Sequence, residues 1–143
     1  MKLIGIEIQA KSKTNMQEYV LDTNVLLRSL VKDHPAHQKE AERVFRKGEK
    51  GEVDLVLLTV VIAETAFVLR SFYKQDPATI ASALQVIVGQ RWIHVEDRSI
   101  LLSALDYYGR GKHFVDAYLQ AFAEARKAEI VTFDQKLAKT NRP

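Results

Sequence analysis

The sequence predicts an α/β fold, a parallel sheet with helices on both faces. Three observations predict it. Short apolar runs, "YVL", "VDLVLLT", "RWIHVE" and "EIVTF", alternate with longer stretches of helical period, the order that βα units require. The strand-like runs are apolar at consecutive positions, as in strands covered on both faces. A chain of 143 residues that is 47% hydrophobic and 27% charged also suits one domain with a single core.

The elements follow in order from residue 18. "YVL" reads as a strand and "NVLLRSLV" as a helix, with "DHPAHQ" a break around Pro35. "KEAERVFRKGEKG" is an amphipathic helix running into glycines, "VDLVLLT" a second strand and "VVIAETAFVLRSFY" a helix. "DPATIASALQVIV" opens with aspartate and proline, a helix-start signature. "RWIHVE" is a third strand, and "RSILLSALDYY" a helix ending in "GRGK". "FVDAYLQAFAEARK" is a further helix, "EIVTF" a fourth strand and "DQKLAKT" a short closing helix. Residues 1–17 stand apart: Ile4, Ile6 and Ile8 alternate like a short strand, and "QAKSKTN" reads as a tether. They are read as an N-terminal extension or peripheral strand and tether, and 18–143 as the domain.

Composition narrows the class. There is no cysteine, which excludes disulfides and thiolate metal sites and fits a cytoplasmic protein. No apolar run approaches the ~20 residues of a membrane span, and the N-terminus is too weakly apolar for a signal peptide. A net charge of +3 permits a polyanionic partner without establishing one.

The stretch "EYVLDTNVLL" breaks an apolar run on an aspartate and resumes at once. Ligands of such sheets bind at the carboxyl ends of the strands. Asp22 follows "YVL" and Asp134 follows "IVTF", so both are expected at that edge. Glu64 lies in the first turns of the helix after "VDLVLLT", and Asp116 opens the helix leading to the last strand. Each aspartate also stands where a helix cap is wanted, and aspartate is a favoured cap. Glu64 resists that reading. Its helical neighbours Val60, Val61, Phe67 and Val68 are apolar, and a carboxylate on a core-facing stripe is costly without a compensating charge or metal. Four converging carboxylates suit Mg²⁺ or Mn²⁺, hard cations that prefer oxygen ligands. Such a cluster can activate water for attack on a phosphodiester. Asn24 and Thr132 flank Asp22 and Asp134 and are expected to orient a carboxylate or a water.

"YVLDTNVLLR", "VVIAETAFVL", "FVDAYLQAFA" and "IVTFDQKL", in that order, resemble the four acidic motifs of the PIN domain. The likeness is to the VapC toxins of VapBC toxin–antitoxin pairs and covers roughly residues 18–140. It implies a PIN-like three-layer α/β/α sandwich with a central parallel sheet of about four to five strands. It also implies a metal-dependent endoribonuclease in which Asp22, Glu64, Asp116 and Asp134 bind Mg²⁺ or Mn²⁺ and water attacks an RNA phosphodiester. The products would carry 5′-phosphate and 3′-hydroxyl ends. Partners implied are RNA, a VapB-type antitoxin that blocks the site, and a second copy in a homodimer, with no membrane. Two departures stand out: Lys127-Ala128-Glu129 occupies a place where the family often has glycine, and the first fifteen residues match nothing in the pattern.

Other candidates weigh less. His34 and His37 have a three-residue spacing but no further ligands. His113 could touch a phosphate or simply sit at a helix start, and Arg28 could hold RNA or the antitoxin, or form an exposed ion pair. Trp92, Tyr107 and Tyr108 suit packing better than base stacking. The rival functions are a PIN nuclease of RNA processing or repair and a non-catalytic binding module. A DxDxT phosphatase is disfavoured because Asn24 replaces the second aspartate.

Overall fold

Three short parallel strands make the sheet: β3 (Glu18–Val20), β4 (Asp54–Leu57) and β5 (Ile93–Val95), in the order β3-β4-β5. A computed structural model describes them, within residues 16–140 and the pairs 2–3 and 6–7. Lys2–Leu3 (β1) and Ile6–Glu7 (β2) form a small antiparallel pair. Ile4, Ile8 and the proposed tether lie outside the described residues. The register sets Tyr19 beside Leu55 and Leu55 beside Ile93.

Seven helices flank the sheet: α1 (Thr23–Leu30), α2 (Pro35–Glu49), α3 (Thr59–Ser71), α4 (Pro77–Val88), α5 (Arg98–Gly109), α6 (Phe114–Arg126) and α7 (Gln135–Thr140). This is the predicted α/β class with a parallel sheet. The helix starts have local causes. Pro35 and Pro77 sit at first helical positions, where their missing N–H has no intrahelical acceptor to lose. Asp76 caps α4, its carboxylate accepting from the Thr79 N–H at 3.0 Å and the Thr79 hydroxyl at 2.6 Å. α2 therefore begins about four residues earlier than its amphipathic pattern suggests, because the break at Pro35 is itself the helix start.

Leu26, Leu55, Leu57, Ile62, Leu84, Ile93 and Leu101 are fully buried and belong to one core. Burial alternates along the strands. Leu55, Leu57 and Ile93 point into the core, while Glu18, Val20 and His94 are exposed and Val56 half-buried. The consecutive apolar run thus hides a period of two. Helix α2 lies close on β4, and a Cβ on Gly48 would fall 2.5 Å from Leu55 Cδ1. Arg98 ties the end of α4 to β5: its guanidinium donates to the carbonyls of Val88 and Gln90 at 2.9 and 3.2 Å, and to that of Ile93.

The segment expected as a fourth strand differs. Residues 129–133 belong to no strand, Val131 and Phe133 are fully exposed, and the sheet has three strands among the described residues. Strand propensity describes fit to a pleated, half-buried surface, and without a ladder partner it does not make a strand. The chain leaves α6 through Lys127, in the left-handed conformation at φ 51°. The place where glycine was missing from the motif is therefore a left-handed cap formed by lysine.

Candidate active site

Because β3 and β4 are parallel, α1 and α3 start from the same edge of the sheet. Asp22 is the N-cap of α1, and its Oδ1 accepts the Thr23 N–H at 2.8 Å. Thr23 is 5% exposed, and its hydroxyl donates to Glu64 Oε2 at 3.0 Å. One threonine thus joins two carboxylates that are 42 positions apart in sequence. Its main chain touches Asp22 and its side chain touches Glu64. Burial and the branched Cβ restrict its χ1 to few rotamers. Sequence reasoning passed over Thr23. The available signal was a hydroxyl at the first helical position, directly after the aspartate.

Glu64 corrects one expectation. It is exposed, and its neighbours Val60 and Phe67 are themselves 69% and 70% exposed. The stripe that carries it lies at the edge of the core, with Val60 and Phe67 open and Val61 and Val68 half-buried against it. The buried face of α3 is formed by Ile62, Thr65, Ala66 and Leu69. What sets Glu64 apart is its bond from the buried Thr23 hydroxyl beside Asp22; it has no cation paired to it among the described residues. Among the described residues, ion pairs join Arg28 to Asp33, Arg43 to Glu40, His94 to Asp54 and Arg110 to Asp106. None reaches Asp22, Glu64, Asp116 or Asp134.

Asp116 is half-buried in the first turn of α6, which packs against α3. It is not the cap. His113 holds that place, with no side-chain cap bond. Asp134 is a cap: its Oδ1 accepts from the N–H groups of Lys136 at 2.9 Å and Leu137 at 3.3 Å, at the start of α7. Thr132 supports it, its Oγ1 accepting the Asp134 N–H at 3.0 Å. Asp134 therefore follows an irregular segment and not a strand. Helices α1 and α3, α3 and α6, and α6 and α7 are packed in pairs, so the four acid-bearing elements form a chain of neighbours. Only Asp22 and Glu64 share a bonding residue, Thr23, and no three acidic or imidazole groups among the described residues lie close enough to hold a metal as they stand.

The other candidates fall into place. Arg28 binds Asp33 at 2.7 Å, and Asp33 also accepts from the Tyr73 hydroxyl at 3.0 Å. Asn24 is exposed, and with Arg28 and His37 it lines a cleft of about 290 Å³ between α1 and α2. His34 caps α2 and stacks on His37, ring centroids 3.9 Å apart. Trp92 packs edge-on against Phe45, and the Tyr107 hydroxyl donates to Glu124 at 2.6 Å.

The sequence pattern of the PIN domain matches residues 19–143, so the match includes all four acids. The chain belongs to the PIN domain family. Ribonuclease VapC44 of Mycobacterium tuberculosis, in both the CDC 1551 / Oshkosh and the H37Rv strains, is 31% identical over 134 residues, covering 87% of this chain and 91% of the relative. No solved structure matches the chain. In this PIN domain no helix among the described residues is long and apolar enough to cross a membrane.

Proposed function

We propose that this PIN domain is a metal-dependent endoribonuclease, the toxin of a VapBC-type pair, acting in the cytoplasm. The observation that carries the reading is that all four motif acids fall inside the family match and none has a cationic partner. The donor chemistry fits a hard divalent cation, for all the candidate ligands are carboxylate oxygens. Asp22 and Glu64 would hold the ion, with Asp116 and Asp134 completing the set. When bound, Mg²⁺ or Mn²⁺ supplies positive charge at the phosphodiester and makes a nearby water easier to deprotonate. Thr23 fixes the rotamer of Glu64, and the Thr23 N–H holds Asp22. Asn24, exposed one residue further along α1, is placed to orient a water or an RNA oxygen. Asp116 has no cap bond to satisfy, and its carboxylate is available to ligate or to accept a proton.

The similarity to a ribonuclease of VapC type supports RNA as substrate, a VapB-type antitoxin as partner and, by family likeness, a homodimer. The test is to incubate the purified protein with transfer RNA and ribosomal RNA, with and without Mn²⁺, and map the ends. Metal-dependent internal cuts with 5′-phosphate and 3′-hydroxyl ends are expected. Intact RNA under all metal conditions would overturn the reading.

A further inference from the structure

Beside the acids, a recessed cavity of about 120 Å³ is lined by Arg70, Tyr108, Lys112 and His113, with Phe67 and Phe114 among its apolar walls. Its chemistry is opposite to that of the acidic site. It has two permanent cations and an imidazole, and no carboxylate lines it. Neither Arg70 nor Lys112 has an ion-pair partner among the described residues. The deciding observation is Tyr108. It is 5% exposed, and its hydroxyl is buried without a hydrogen-bond partner. A buried hydroxyl left unpaired is costly, and native structures rarely tolerate one without a reason. Burial pushes the phenol up from its usual value, against an opposing pull from the charge of Arg70. The hydroxyl therefore remains a donor at neutral pH, and Tyr108 and Arg70 line the same cavity; the hydroxyl itself has almost no accessible surface there, so a small shift of the side chain is part of binding. The loop before α6 adds that helix's N-terminal end, whose free N–H groups favour an anion.

We infer that this cavity is a phosphate-binding subsite, which takes a backbone phosphate of the RNA beside the one to be cut. The inference rests on the nuclease reading above. The size agrees: 120 Å³ is a few waters' worth of volume, room for a phosphate group. Arg70 is exposed and Lys112 half-buried, so what favours an anion here is their attraction for it and not a need to be compensated. The placement agrees as well. Arg70 follows Glu64 by six residues on α3, about 9 Å along the axis at 1.5 Å per residue, and Lys112 and His113 directly precede the α6 turn that carries Asp116. At 3.6 residues per turn Arg70 lies farther along α3 and about 120° around it from Glu64, so an RNA strand that meets the carboxylates reaches the cavity by crossing that helix obliquely.

Binding can be read without cleavage, by fluorescence anisotropy of a labelled RNA 10-mer in EDTA. Arg70→Gln is expected to weaken binding about tenfold and to lower the salt slope by about one. Tyr108→Phe should weaken it several-fold while the apo melting temperature stays level or rises, because the substitution removes the unpaired hydroxyl. A series of 10-mers with one methylphosphonate linkage each should show a single position of loss in the wild type that vanishes in Arg70→Gln. If inorganic phosphate shifts the His113 imidazole signals in NMR but no linkage position matters, the cavity takes a free phosphoryl group and the RNA assignment is overturned. If both variants bind RNA as the wild type does while the wild type still cuts with Mn²⁺, the subsite is refuted and the nuclease stands. If the wild type fails to cut yet the linkage series behaves as described, the subsite stands and the nuclease reading falls.

Discussion

Replacing Thr23 with valine tests the link between Asp22 and Glu64. Valine keeps the volume and the β-branch, so the buried position is filled as before, and only the hydroxyl bonded to Glu64 Oε2 at 3.0 Å is lost. Hydrogen bonds to charged groups contribute roughly 1.5–3 kcal/mol when the acceptor is shielded. Glu64 is exposed, and water replaces most of that bond, which leaves a cost of about 1 kcal/mol or less. For a domain of this size that is a fall of about 4 °C or less in melting temperature. The functional loss should be larger. Partners that orient a metal's ligands typically change metal affinity by about 10–100-fold, so the Mn²⁺ concentration for half-maximal RNA cleavage should rise by that range. Saturating Mn²⁺ should restore much of the rate, and Thr23→Ser, which keeps the hydroxyl, should behave nearly as wild type. Two results would refute the reasoning. An unchanged Mn²⁺ dependence in Thr23→Val means the bond to Glu64 orients nothing that matters. A drop of well over 10 °C means Thr23 is a packing residue first.

Further outcomes can be checked by melts, cleavage assays and pH titration. Asp116→Asn should melt within a few degrees of wild type, since Asp116 makes no cap bond, yet lose most RNA cleavage; near-normal cleavage at limiting metal would reduce it to a surface residue. Asp134→Ala should fray α7 at a cost of about 1 kcal/mol, whereas Asp134→Asn keeps the cap, so a cleavage defect in the asparagine variant isolates the charge. Gly48→Ala should destabilise by about 1–3 kcal/mol in urea titration, because its Cβ would meet Leu55 Cδ1 at 2.5 Å. The Asp76 carboxylate is held below its ordinary pKa by the Thr79 hydroxyl and then the Thr79 N–H, so its contribution is present above the unfolded pKa of about 4 and lost as pH falls through the folded value. Asp76→Asn should flatten that part of the acid-unfolding curve, and an unchanged curve would contradict the assignment.

Much of the fold was legible because its signals are local. "YVL", "VDLVLLT" and "RWIHVE" each became a strand, and Asp76-Pro77 marked a helix start as written. What escaped depends on distant surroundings. "EIVTF" has the composition of a strand, but pairing requires a neighbour that no local pattern specifies, and Val131 and Phe133 stand in solvent. The two-residue period of β4 was hidden because Val56, on the open face, is as apolar as Leu55 and Leu57. The same limit applied at the site. The motif located Asp22, Glu64, Asp116 and Asp134, but could not say that Asp134 caps α7 while Asp116 caps nothing, since Asp134 stands one residue before its helix and Asp116 is the third residue of its own. Thr23 was invisible because its partner, Glu64, lies 41 residues away.

The exposure of Glu64 changes the physical argument for its function without removing it. On a buried stripe, the carboxylate would need a cation merely to be tolerated, and any lysine from elsewhere in the fold would meet that need. On the surface, water tolerates it, and stability asks for nothing. Its bond from a buried threonine anchored beside Asp22 therefore has a different meaning. A free surface glutamate samples many rotamers, and holding one costs side-chain entropy of up to about 1.5–2 kcal/mol. A half-buried hydrogen bond to a carboxylate offsets part of that cost, and on the proposed reading the rest is returned when a ligand meets both carboxylates. Neither Asp22 nor Glu64 has a lysine or arginine paired to it among the described residues, so on the proposed reading a divalent cation held by both adds attraction without displacing an existing ion pair. Mg²⁺ or Mn²⁺ should accordingly raise the melting temperature of the wild type more than that of Glu64→Gln, and the glutamine variant should be at least as stable as wild type in EDTA. A large loss of stability in EDTA would mean that Glu64 serves the fold and not the ion.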